Sequence, residues 1–178
     1  MLHILRRLTA GIESFIDVIG DIVAWIALSM IGLVALNVIL RYAFSFGSVW
    51  AQELEWHLLA SLILLGMAFA LQRGDNVRVD LFYARYSPGV KHVVDVMAAL
   101  LTIAVALLFV YLAWAYVMQS YSIQEGSPDP GGIPLRWAVK ALIPIGYSLV
   151  ALQQMAYLLK LVMDRREITA ADARATHV

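Results

Sequence analysis

Twenty-nine consecutive residues without a charge, Val96 to Gln124, constrain this chain more than any other stretch. As a helix they would run about 43 Å, longer than the ~30 Å hydrocarbon core of a bilayer, and fitting that length would need more than the usual tilt of roughly 0 to 40°. The helix is therefore expected to protrude. Three shorter charge-free runs accompany it: Ile22–Leu40 with 19 residues, Trp56–Leu71 with 16, and Ala141–Leu159 between Lys140 and Lys160. With 62% hydrophobic and 15% charged residues, the remainder cannot supply the polar surface of a soluble domain. The expected fold is all-α, a single membrane domain over 1–178 with four transmembrane helices at about 18–41, 49–72, 90–121 and 138–162. A cytoplasmic tail at 163–178 need not be ordered.

The second run is too short to cross at about 24 Å, so its helix must begin near Ser48. That start draws Trp50, Glu53 and Glu55 into the interfacial layer, where tryptophan is at home. Glu53 and Glu55, two apart, point to nearly opposite sides, whereas Glu53 and His57 form an (i, i+4) pair able to hydrogen-bond. Gly66 and Ala70 are a small-xxx-small pair suited to close helix packing. Ahead of the first span, Glu13, Asp17 and Asp21 share one helical face, which meets either head groups or a partner. Arg41 closes that span and can snorkel to the interface.

Gln72–Ser87 reads as a polar connection opening on a turn at RGDN, with Val79, Phe82, Tyr83 and Tyr86 at the spacing of a short amphipathic surface helix. Ser87 and Pro88 suit an N-cap and first helical position. Aromatic residues crowd the end of the long third span, and GSPDPGGIP at 126–134 then reverses the chain. Pro144 either starts the regular fourth helix or kinks it. Ten Lys and Arg residues fall in the N-terminal segment, the 72–95 connection and the tail, against three (Arg41, Arg136, Lys140) on the other side. The positive-inside rule then places both termini in the cytoplasm.

The sequence contains no nucleophile motif, phosphate loop or metal-ligand cluster, and no cysteine, so neither enzymatic activity nor a cofactor is expected. His57 is the one histidine inside a span; a haem held between helices would want two at similar depth. A self-contained transporter would want ionisable groups near the bilayer middle, where these spans offer only Asn37, Gln119, Gln153 and Gln154. What remains is a helper subunit presenting packing faces to something larger, or a membrane anchor of a respiratory or other enzyme complex.

NVILRYAF at 37–44, W-x-x-E at 50–53, LLGMAFALQRG at 64–74 and VRVDLF at 77–82 give the chain a resemblance to the small membrane subunit, DctQ type, of tripartite ATP-independent periplasmic (TRAP) transporters. SPDPGGIPLRWAVKALIPIGYSLVALQ at 127–153 resembles a loop and last helix seen in one branch. The resemblance covers most of residues 15–160, in distinctive order, although Asn76 stands where many members have histidine. It implies a scaffold subunit of a sodium-coupled uptake system for carboxylate-bearing solutes in the bacterial inner membrane. The partners implied are the large TRAP membrane subunit and a periplasmic substrate-binding protein, within the lipid bilayer, and no nucleic acid. Arg41, Trp50, Glu53 and Asp80 match the family motifs and, with His57, are expected to be subunit-interface or structural residues.

Overall fold

Small buried side chains recur every seven residues along the longest charge-free segment, and this spacing lets the helices of the body pack closely. The computed structural model describes residues 2–74 and 83–175. Among them the ordered elements are four helices: α1, Leu2–Phe44; α2, Val49–Arg73; α3, Pro88–Ser122; and α4, Arg136–Ala175. All four are long and apolar enough to cross a membrane. The expected all-α, four-span class is what the structure has. Asp80 and the greater part of the expected amphipathic surface piece lie outside the described residues.

The buried positions of α3 are Ala99, Ala106, Ala113, Val117 and Ser120. Ala99, Ala106, Ala113 and Ser120 recur every seven residues, a heptad seam of small side chains that lets a partner helix approach closely. On α4 the matching seam is Leu149, Ala156 and Met163, again seven apart, with Val150 and Gln153 between the first two. α3 and α4 form the most extensive helix pair, and α4 also touches α1 and α2, so it is the hub of the bundle. The Phe109 and Tyr147 rings stack across α3 and α4 at 4.6 Å between centroids. Ile16, Ala68, Ala106, Leu149 and Val150, one or two from each helix, form the core.

Three glycines set how closely the helices approach. Gly146 on α4 lies against the Leu64 backbone of α2, where a Cβ would stand 2.9 Å from its carbonyl carbon. Gly20 on α1 accepts the Phe69 ring of α2 in the space a Cβ would take. Gly66, expected from the sequence to be a packing residue, faces Val23 of α1, where an added Cβ would stand 3.4 Å from the Val23 methyl.

Helix ends follow local chemistry. Ser48 caps α2 by accepting the Ala51 N–H at 3.3 Å, and Gly74 ends it at φ 74°, donating to the Ala70 and Leu71 carbonyls. Ser87 and Pro88 open α3 as expected, although the Ser87 hydroxyl makes no capping bond. α3 closes in a Schellman motif: Gln124 sits at φ 48°, its N–H reaching Tyr121 O at 3.1 Å and the Glu125 N–H reaching Ser120 O at 3.0 Å. Two helices outrun their expected spans. α1 begins at Leu2, so its 43 residues extend about 64 Å, and α4 continues to Ala175 instead of stopping near 162. Pro144 lies inside α4, leaving the Lys140 carbonyl without its usual donor.

Candidate functional site

Charged residues gather at the two ends of the bundle, and at each end they tie helices of this same chain together. At the end carrying both termini, the acidic face of α1 meets basic residues: Glu13 pairs with Lys160 of α4, and Asp17 Oδ1 accepts from Arg73 Nη2 at 3.2 Å and Gln72 Nε2 at 3.1 Å on α2. Gln72 Nε2 also reaches the Glu13 carbonyl at 3.3 Å. The expectation left open between head groups and a partner is answered for Glu13 and Asp17 by partners within the chain, while Asp21 is exposed.

The other end is built around Glu53. The helix start at Val49, capped by Ser48, places this side chain one turn inside α2, where it is 4% exposed. Its carboxylate accepts from the Ser127 hydroxyl and from the Ile133 N–H at 2.5 Å, with Arg136 Nη2 at 3.5 Å. All three donors come from the 123–135 connection or the first residue of α4. Gly132 leaves the room: a Cβ there would meet Glu53 Oε2 at 2.6 Å. The loop braces itself too, through Asp129 N to Ser127 Oγ at 3.0 Å, Gly132 N to Asp129 O at 3.1 Å and Arg136 N to Glu125 O at 3.2 Å. Lys140 pairs with Glu125 and lies 4.1 Å over the Tyr116 ring. That ammonium, hydrogen-bonded to the Glu125 carboxylate, holds the Glu125 carboxyl below the usual glutamate range.

The remaining sequence-singled residues distribute as follows. His57 does not bond the Glu53 carboxylate; its Nδ1–H donates to the Glu53 backbone carbonyl at 2.6 Å, one turn back along the helix. Nε2 is then the ring's acceptor, buried without a partner among the described residues, beside a cleft of about 250 Å³ lined by Trp56, Arg136, Val139 and Lys140. Trp50 is half exposed. Arg41 is exposed at the end of α1, beside a separate pocket with Asn37, Gln52 and Glu55. Glu55, expected to face head groups or water, is half-buried and accepts from Asn37 Nδ2 at 2.9 Å. The structure thus joins Glu53 with His57 at one cleft and places Arg41 at another.

Sequence reasoning missed Ser127, Gly132, Ile133 and Arg136 as partners of Glu53, although SPDPGG was recognisable as a rigid turn. Ser127 lies 74 residues away in sequence, and neither periodicity nor spacing carries such a pairing.

A bundle of four helices long and apolar enough to cross a membrane, with ion pairs tying its own helices together at both ends, has the architecture of a multi-span membrane protein. Residues 30–164, well over half the chain, match the family of tripartite ATP-independent periplasmic transporters, DctQ component. The chain belongs to this family, and is thereby a multi-pass TRAP transporter subunit and not an enzyme. It is similar to the C4-dicarboxylate TRAP transporter small permease protein DctQ of Pseudomonas aeruginosa, with 23% identity over 189 aligned positions covering 93% of this chain and 89% of the relative. Family membership also displaces the enzyme-anchor alternative.

Proposed function

We propose that this chain is the static scaffold subunit of a sodium-coupled TRAP system in the bacterial inner membrane, taking up carboxylate-bearing solutes. It packs against the large membrane subunit, which binds sodium and substrate and moves, while a periplasmic binding protein delivers the solute. The observation that carries this reading is the uneven burial of the apolar helices. In the most apolar stretch of α4, 39% of residues are buried, against 6% in α1, 6% in α2 and 11% in α3. The hub is covered and three outer helices present apolar faces, which suits a body seated in lipid and against a larger membrane protein. Glu53 supports the static role, because a buried carboxylate saturated by a loop and the head of the next helix resists relative movement of α2 and α4. The C4-dicarboxylate named for the Pseudomonas relative supports a carboxylate-bearing solute.

The test is uptake by proteoliposomes holding this subunit, the large subunit, or both, with binding protein and a sodium gradient supplied. Only the combination should accumulate solute, and the two subunits should co-purify. Solute uptake or sodium flux through this chain alone would overturn the scaffold reading.

A further inference from the structure

The pocket at the α1–α2 elbow is unlike the rest of the molecule, because it places an unspent cation and a carboxylate side by side. It is lined by Val34, Asn37, Val38 and Arg41 of α1 and by Gln52 and Glu55 of α2, with Tyr42 at its rim. Arg41 is exposed and takes no hydrogen bond or ion pair among the described residues. Glu55 is half-buried and spends one oxygen, Oε1, on Asn37 Nδ2. At the two ends of the bundle, by comparison, Glu53 is paired with Arg136 and Glu13 with Lys160. Here both charges remain available at the level where α1 leaves its charge-free run.

We propose that this pocket binds the head group of a phospholipid carrying a primary ammonium, a phosphatidylethanolamine, with phosphate toward Arg41 and ammonium toward Glu55. Charge complementarity selects the occupant. A lone cation would favour any phosphate, but the neighbouring carboxylate disfavours a purely anionic head group and favours one that brings its own N–H donors. The volume, about 180 Å³, is below the ~300–1,000 Å³ usual for pockets that enclose a whole small molecule, so it suits a head group alone. The tails have a path. Val38 and Val34 form the apolar side of the pocket one and two turns from Arg41, at 48% and 38% exposure, and Ile31 continues the same face at 63%. Tyr42, 83% exposed, stands at the rim where an amphipathic ring belongs. The proposal holds in either leaflet and does not depend on the direction of insertion.

Native mass spectrometry of the full chain, delipidated and then equilibrated with mixed micelles of phosphatidylethanolamine, phosphatidylcholine or phosphatidylglycerol, tests it. Phosphatidylethanolamine should be retained preferentially, because choline's quaternary ammonium has no N–H to give Glu55 and glycerol has no cation. Glu55→Gln keeps an oxygen for Asn37 and removes only the charge; it should erase the preference over phosphatidylcholine. Arg41→Gln should lower retention of all three lipids, roughly tenfold or more for the loss of a charged hydrogen bond. Circular dichroism melts of both variants confirm that the bundle is intact. Equal retention of the three lipids, or unchanged selectivity in both folded variants, would overturn the proposal. So would variants that alter only co-purification with the large subunit, which would assign Arg41 and Glu55 to a protein contact.

Discussion

Glu53 shows how one residue can join distant parts of a chain. Its position was readable, since a run too short to cross forces the helix to start before it and so draws the carboxylate inward. Its partners were not: the sequence left Glu53 between a subunit contact and a structural role, and Ser127, Ile133 and Arg136 supply donors from within the chain. Removing the carboxylate strands the Ile133 N–H and the Arg136 guanidinium together. Glu53→Ala should therefore lower the apparent melting temperature in detergent by on the order of 5 °C. It should also open the 126–134 loop to proteases that the intact protein resists. Asp129→Ala, at the exposed loop tip with only its backbone engaged, should do neither. Equal proteolysis of the two variants would show that the loop is held by something other than Glu53.

At the scale of elements, hydrophobicity and helix-end chemistry were legible because both are local. The Ser48 start, the turn after Arg73 and the Ser87–Pro88 opening all stand where the sequence places them. Helix contacts were legible only in part. Small residues are common in membrane helices, and spacing alone does not say which of them meets a backbone. Gly66 looked like the packing residue, yet it meets one side-chain methyl of Val23, while Gly146 meets the Leu64 main chain. A backbone cannot rotate away as a side chain can, so the two glycines should tolerate substitution differently. Gly146→Ala should push α4 from α2 and cost about 1 to 3 kcal/mol in reversible unfolding by a denaturing detergent. Gly66→Ala should change stability little, and Gly32→Ala, with open space around it, should be neutral or slightly stabilising. A Gly146→Ala variant as stable as Gly32→Ala would show that α2 and α4 are not in main-chain contact in the membrane.

For the molecule as a whole, the sequence and the bundle bear on different parts of its architecture. Four charge-free runs specify four spans, and the heptads of α3 and α4 explain why the last helix and not the first becomes the hub. The direction of insertion is carried only by Lys and Arg placement, ten against three, which acts while the chain enters the membrane. Arg136 and Lys140 are neutralised by Glu53 and Glu125 at the loop end. At the terminal end Lys160 and Arg73 pair with Glu13 and Asp17, and Arg7 is exposed near the start of α1. If the terminal end faces the cytoplasm, a residue near either terminus and one in the 126–134 loop must differ in access from outside. The chain has no cysteine, so single cysteines report without background. In intact cells, Asp129→Cys should react with a thiol reagent that cannot cross the inner membrane, and His3→Cys should react only after that membrane is opened. The reverse pattern would invert the topology while leaving the bundle, its Glu53 tie and its family unchanged. The loop and the Arg41–Glu55 pocket would then belong to the cytoplasmic face, out of reach of a periplasmic binding protein.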